Sequence, residues 1–164
     1  RIVVIEGGRI RQADDPQQTY TAPADPFVAS FIGTPPMNLW EGSLMTEGGK
    51  TVFEGNGLTF PLPARLAAHH PMQPASVTLG IRPEDIMLRD TPAALQLEGL
   101  VELVEDLGAD LLLHCRVGDL RLVVRAARRT DRIYDQAVRL FFPVDKLHLF
   151  IDHRRFPHPS ASPT

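Results

Sequence analysis

The sequence predicts a mainly β protein, built as a small barrel or a sandwich. From Asn38 onward, apolar residues fall in short runs that often alternate with polar residues, with turns between them. Strands that recur roughly every 8–12 residues are typical of such folds. The chain also contains 15 prolines among 164 residues, well above the usual ~5%. Because proline breaks helix interiors, long helical bundles are excluded.

The first 36 residues differ from the rest of the chain. Ile2–Ile5 and Arg9–Gln12 flank a Glu-Gly-Gly turn, which predicts a β-hairpin. The chain starts inside this apolar run without a Met, so we expect a piece of a longer protein. Thr34–Pro36 holds two successive prolines, which favour a stiff extended joint. We therefore expect residues 1–36 and residues 37–156 to form separate domains.

Two short helices are expected inside that first segment. Asp15-Pro16 and Asp25-Pro26 each offer an aspartate cap followed by a proline at the first helical position. Gly33 is expected to end the second helix. Phe27 and Phe31 lie four residues apart and share one face of that helix. Such a small segment buries little on its own, so we expect it to dock on a neighbour, to swap, or to be disordered.

The remaining elements follow from apolar periodicity and turn residues. Asn56-Gly57 predicts a tight hairpin, and the strand around Gly99 is expected to bend there. On the strand from Asp110 the alternation predicts Leu111, Leu113, Cys115 and Val117 inward and Asp110, Leu112, His114 and Arg116 outward. We expect strands at Thr51–Gly55, Leu58–Leu62, Val77–Ile81, Ile86–Leu88, Leu95–Leu107, Asp110–Val117, Leu120–Arg125, Val138–Phe142 and His148–Ile151, one helix at Ala64–His69, and a disordered tail at 157–164.

Charge and composition exclude several functional classes. The formal net charge is −3 and the pI is about 6.1, which disfavours a basic nucleic-acid binder. No apolar run reaches the roughly 18 residues that a membrane-spanning helix needs. A single cysteine, Cys115, excludes an intrachain disulfide and a cysteine-based zinc site. Because Cys115 alternates inward with leucines, it is expected to be a buried, unreactive thiol.

Three further motifs were weighed as sites. Gly48–Thr51 resembles the end of a phosphate-binding loop, but Leu44 stands where the motif needs glycine, and a hairpin follows instead of a helix. Six histidines show no metal-ligand spacing, and adjacent His69 and His70 point apart. A basic cluster could hold nucleic-acid phosphates or an oxyanion, although only Tyr134 is near for stacking, so a solvated or interface edge is favoured. Its members are Arg121, Arg125, Arg128, Arg129 and Arg132.

The order of motifs along most of the chain resembles the C-terminal part of ATP-binding subunits of ABC importers for sugars and glycerol phosphate. A stretch with LGADLLLHCR followed by LVVR is most similar to the glycerol-3-phosphate branch. Asp85 stands where the family usually has His. The matching segments are Arg1–Ile10, Asp14–Tyr20, Pro26–Asn38, Gly80–Asp85, Val101–Asp110 and Lys146–Phe150.

The resemblance implies an OB-like β-barrel regulatory domain, with residues 1–36 as the tail of a nucleotide-binding ATPase domain. It also implies a homodimer, ATP and Mg in the parent protein, permease partners, and a cytoplasmic location at the inner face of the membrane. The family's catalytic motifs all precede Arg1, so no catalytic, cofactor or metal residue is assigned here. The parent would be a transport ATPase, whereas this chain would hydrolyse nothing.

Two loops are the candidate regulatory or interface residues. They could form the surface at which a regulatory protein or small ligand is bound, or they could be ordinary barrel turns. The first contains Gly80, Arg82, Pro83, Glu84 and Asp85, and the second contains Leu107, Gly108, Ala109 and Asp110. The alternatives are a stand-alone barrel that binds an oxyanion such as molybdate, an OB-type nucleic-acid module, and an enzyme with no recognisable site.

Overall fold

The computed structural model describes residues 1–67, 77–128 and 136–155. The strands are β1 (Ile2–Glu6), β2 (Arg9–Asp14), β3 (Asn38–Glu47), β4 (Lys50–Gly55), β5 (Leu58–Pro61), β6 (Val77–Ile81), β7 (Ala94–Asp106), β8 (Asp110–Val117), β9 (Leu120–Ala127), β10 (Ala137–Pro143), β11 (His148–Ile151) and β12 (Arg154–Arg155). The α-helices are α1 (Pro16–Thr21), α2 (Pro26–Phe31) and α3 (Ala64–Ala67), and two 3-10 turns span Pro83–Asp85 and Val144–Lys146. The expected mainly β class is thereby confirmed.

The chain divides into two compact units. The first contains Arg1–Gly55, Thr59–Gly80 and the chain from His148 onward, and the second contains Asn56–Leu58 and Ile81–Leu147. The joint expected at Thr34–Pro36 lies inside the first unit, between α2 and β3, so the separation of residues 1–36 from residues 37–156 stays a prediction.

In the first unit, β1 and β2 form the expected antiparallel hairpin as a two-stranded sheet. The two helices begin as predicted, because Asp15 and Asp25 each accept a hydrogen bond from the third helical amide, at 2.8 and 2.9 Å. A larger sheet has the order β12-β11-β6-β3-β4-β5. Its core near α2 consists of Ala29, Met37 and Phe150, with Leu39 packed against them.

Strands β3 and β4 approach each other closely where two glycines meet. A Cβ at Gly42 would lie within 3.0 Å of both the Glu54 carbonyl oxygen and the Phe53 ring. A Cβ at Gly55 would lie within 3.0 Å of the Glu41 carbonyl oxygen and the Gly42 Cα. The Phe53 ring, which is 1% exposed, fills the space that two side chains would need. Glycine is therefore required on both strands by packing.

The second unit is built on an antiparallel sheet of order β10-β7-β8-β9. The predicted alternation on β8 holds on the inner face, where Leu113 and Cys115 are buried together with Val101, Val124 and Leu140 of the neighbouring strands. Leu112 was expected outward and is nevertheless only 9% exposed, although its register partners Glu105 and Arg125 belong to the outer face.

Three expectations for this unit were wrong or incomplete. The register of β7 shifts between Val101 and Leu103 and not at Gly99. Gly99 is needed because a Cβ there would lie 2.9 Å from Val117 Cγ2 and 3.1 Å from Leu140 Cδ1. Ile86–Leu88 forms no strand, and only Met87 makes a bridge, to Phe141.

Other expectations fall partly or wholly outside the described residues. The helix expected at Ala64–His69 is described as Ala64–Ala67, and the strands and turns beyond it resume at Val77. The positions outside the description include His69, His70, Arg129, Arg132, Tyr134 and the expected tail at 157–164.

Candidate regulatory surface

The corner between β7 and β8 is built by residues that the sequence singled out. Gly108 has a φ of +90°, which a glycine adopts without strain. The Gly108 amide donates to Asp106 Oδ1 at 2.8 Å, and the Leu107 amide donates to the Asp110 carbonyl at 2.9 Å. These bonds turn the chain sharply and leave the Leu107 side chain 55% exposed.

Two arginines at the end of β9 hold this corner. Arg125 Nε donates to Asp110 Oδ2 at 2.8 Å. Arg128 reaches the Gly108 carbonyl at 3.2 Å and Asp106 Oδ2 at 3.0 Å, while its own amide donates to the Ala109 carbonyl. The corner is therefore fixed in position by charge-assisted hydrogen bonds, the stronger kind in proteins.

The outward residues of β7, β8 and β9, together with this corner, form what we call the outer sheet face. The strand register places Leu103, His114 and Val123 in one row and Glu105, Leu112 and Arg125 in the next. Leu103 is 48% exposed, so this face presents two large apolar side chains, Leu103 and Leu107. The exposure of Leu103 could not be found by simple alternation, because the register shift before it changes the phase of the strand.

Ion pairs cover the rest of the outer sheet face. His114 Nε2 lies 2.5 Å from Glu105 Oε1, and Arg116 Nε lies 2.6 Å from Glu102 Oε1. Arg121 Nε lies 3.6 Å from the other oxygen of Glu102. The four arginines 116, 121, 125 and 128 thus each face one of the carboxylates 102, 106 and 110. Three members of the predicted basic cluster are therefore neutralised, which does not favour an anion or nucleic-acid site there.

The first candidate loop is largely buried. In the first unit, a Cβ at Gly80 would meet Met37 Sδ at 2.6 Å, so glycine fits a tight contact. In the second unit, Arg82 is 2% exposed and Pro83 is buried, while Glu84 and Asp85 are half-buried. The side chains available to a partner on this loop are therefore Glu84 and Asp85.

Asp85 lies in a mixed environment. Burial raises the pKa of its carboxyl above the ordinary value of 3.8, and the Lys146 ammonium, 3.8 Å away, opposes that rise. The 3-10 turn Pro83–Asp85 contacts β9, the strand that also holds the Leu107–Asp110 corner. The structure thus connects both candidate loops of this unit to one strand.

A cleft of about 400 Å³ lies beside that turn, lined by the 86–89 segment, Glu84 and residues 125–127 of β9. A larger cleft of about 870 Å³ lies in the first unit, where the β2–α1–α2 segment faces Asp152, His153 and Arg154. Sequence reasoning missed both clefts, since each is lined by segments far apart in the chain.

The remaining motifs are structural wherever they are described. Gly48 and Gly49 have positive φ and form an exposed turn between β3 and β4 with no helix after it, so this sequence does not fit a phosphate-binding loop. Within residues 1–67, 77–128 and 136–155, no group of His, Cys, Asp or Glu is placed to hold a metal ion. Cys115 is 1% exposed, and burial raises the pKa of its thiol to about 11.

None of the helices in the described part of the chain is both long and apolar enough to span a membrane.

Comparison with protein families agrees with this architecture. Residues 33–86 match the model of the MalK OB fold domain, and residues 79–150 match the TOBE domain. The chain therefore belongs to the family of regulatory domains that combine these two parts in the C-terminal portion of ABC importer ATP-binding subunits. The expected OB-like fold and regulatory character are thereby confirmed.

Within that family the chain is similar to sn-glycerol-3-phosphate import ATP-binding proteins named UgpC. It is 42% identical over 154 residues to the protein of Escherichia coli O6:H1 and 40% identical over 154 residues to that of Salmonella typhimurium. Each comparison covers 92% of this chain and 41% of the relative, so the chain spans about two fifths of their length.

One solved structure shares the fold at low sequence identity. The molybdate-bound form of the cytoplasmic molybdate-binding protein ModG matches with a TM-score of 0.50 and 12% identity, covering 68% of this chain and 94% of that one. At that identity the likeness shows the fold alone.

Proposed function

We propose that this chain is the regulatory and dimerisation domain of an ATP-hydrolysing importer subunit, and that the transported solute is sn-glycerol 3-phosphate. The observation that carries this proposal is the 42% identity over 154 residues to UgpC of Escherichia coli O6:H1. The coarser class rests on the paired MalK OB fold and TOBE matches.

In the complete subunit, ATP with Mg supplies the free energy of transport at an ATPase domain. The residues of this chain play no part in that chemistry, since its one glycine-lysine turn does not fit a phosphate-binding loop. Their role is to keep two subunits paired while the ATPase domains open and close. The permease subunits are then reached through the ATPase domain, at the cytoplasmic face of the membrane.

Regulation would act through differential binding. A regulatory protein or small ligand that binds one state of the dimer better than the other shifts the equilibrium by that difference in affinity. We propose the Leu107–Asp110 corner and the exposed part of the 84–85 turn as the surface for such an effector. Both are supported by the same strand, β9, so a contact at one can be sensed at the other.

A chimera tests the transport assignment. The C-terminal part of UgpC is replaced by this chain, and glycerol-3-phosphate uptake is measured in cells that lack UgpC. We expect uptake to be restored, whereas the UgpC ATPase domain without any C-terminal part serves as the negative control. A stable, correctly assembled chimera with no uptake above that control would contradict the proposal.

A further inference from the structure

The outer sheet face has the properties of a protein contact surface. Leu103 and Leu107 are 48% and 55% exposed and stand two positions apart on the outward side of β7 and its corner. Isolated exposed leucines are ordinary, but two neighbouring ones on a rigid support form a patch. The corner beneath Leu107 is fixed by the bonds of Arg125 and Arg128, so little conformational entropy is lost when a partner binds.

The charges around this patch indicate which partner fits. Arginines 116, 121, 125 and 128 contribute four positive charges, and Glu102, Glu105, Asp106 and Asp110 contribute four negative charges, so the formal sum is zero. A strongly acidic or basic partner gains nothing from such a surface. Two identical neutral surfaces meet without net repulsion, and acids and arginines of one can face the opposite charges of the other.

We propose that the outer sheet face is the surface at which two copies of this chain meet, with Leu103 and Leu107 at its centre and the ion pairs as its rim. This inference rests on the homodimer proposed above and adds its location. Apolar anchors surrounded by polar pairs are the usual arrangement of a protein interface. A two-fold contact uses the same patch twice, which suits a patch that is complementary to itself.

Sedimentation equilibrium on the full 164-residue chain tests the location. Leu107→Asp and, separately, Leu103→Asp place a charge in the contact and are expected to raise the dimer Kd at least about tenfold. The matched control is Ile5→Asp, which changes a side chain that is 58% exposed on β1, away from this face. The control is expected to dimerise like the unchanged chain.

Circular dichroism and thermal melting keep a folding defect separate from a binding defect. All three substituted side chains are exposed, so the variants are expected to keep the β spectrum. Hydrogen exchange supplies a second readout that needs no substitution. Amides of residues 103–110 are expected to gain protection as the concentration of the unchanged chain rises, and those of residues 2–5 are not.

The outcomes distinguish this proposal from the one on which it rests. If the unchanged chain dimerises and Ile5→Asp dissociates it while Leu107→Asp does not, the homodimer stands and the location is wrong. If the unchanged chain is monomeric at every concentration, both are wrong for this chain. If it is monomeric and Leu107→Asp lowers uptake by the chimera, the face contacts another importer component, and this proposal is again overturned.

Discussion

Cys115 shows how a single buried group gives a measurable pH dependence. Its thiol pKa rises from 9.0 to about 11 because the inner face of β8 excludes water. Between these values the unfolded chain loses the proton that the folded chain keeps. The contribution to the free energy of unfolding is therefore complete below pH 9 and is lost as pH rises toward 11.

We predict that the free energy of unfolding falls across this alkaline range and that Cys115→Ala makes the fall shallower. Urea titrations of both proteins at several pH values measure it, with the slope as the readout and not the absolute stability. We also expect the native thiol to resist alkylation until the chain unfolds. Identical slopes for the two proteins would contradict the burial argument.

Gly42 carries the close approach of β3 and β4. An alanine there would push against the Glu54 carbonyl oxygen, which is backbone and cannot rotate away. We predict that Gly42→Ala lowers the free energy of unfolding by about 1–3 kcal/mol. Ser43→Ala, one exposed residue further along, is the control and is expected to change stability by less than about 0.5 kcal/mol. Equal urea midpoints for the two variants would show that the strands can separate at no cost.

At the scale of elements, α1 and α2 give a matched pair of caps. Asp15 caps α1 from an exposed position, while Asp25 caps α2 and also accepts from Arg11 Nη2 at 2.7 Å with a side chain only 9% exposed. Losing a cap costs about 1 kcal/mol, and breaking a buried pair adds the penalty of an uncompensated charge.

We therefore predict a loss of about 1 kcal/mol for Asp15→Ala and about 3 kcal/mol for Asp25→Ala. Arg11→Met combined with Asp25→Asn separates the two terms, because it removes both charges and leaves an amide oxygen to cap the helix. Thermal melts of the four proteins check the order. A larger loss for Asp15→Ala than for Asp25→Ala would rule out a stabilising role for the ion pair.

The elements also show what a sequence can predict. The caps at Asp15 and Asp25 and the turns at Gly7 and Asn56 are set by two or three adjacent residues, so their patterns were sufficient. Gly99 was assigned to a bend because its true reason, contact with Val117 and Leu140, involves residues distant in sequence. The candidate loops were found by resemblance, whereas the burial of Arg82 and the exposure of Leu103 depend on packing that alternation cannot reveal.

At the scale of the whole molecule, the charge distribution decides between the proposed role and its rivals. The chain has a formal net charge of −3, and its described basic cluster is paired with carboxylates. We predict no binding of single-stranded oligonucleotides even at low salt, measured by fluorescence anisotropy. A true nucleic-acid module would bind them and lose affinity steeply as salt rises.

The same argument applies to a small oxyanion. Any ligand that binds only the folded state raises the melting temperature by mass action. We predict no such rise with molybdate or phosphate, because the arginines near β9 already face Asp106 and Asp110. A concentration-dependent rise with molybdate alone would favour the stand-alone oxyanion barrel.

Strand β7 has two different neighbours along its length, with a consequence for how the molecule folds. Its first half, Ala94–Leu100, pairs with β10, and its second half, Leu100–Asp106, pairs with β8. The β8 partner follows after a short corner, whereas β10 arrives some thirty residues later. Because closing a short loop is easier, β7, β8 and β9 are expected to pair in the folding transition state, before β10 joins.

Leu113 on β8 and Leu140 on β10 are both 0% exposed, so their alanine variants form a matched pair. We predict that Leu113→Ala mainly slows folding and that Leu140→Ala mainly speeds unfolding, in stopped-flow chevron measurements. The reverse pattern would mean that the distant strand nucleates the sheet. The stagger of one strand thus separates an early-forming half of the sheet from a late-closing one, and kinetic stability resides in the late half.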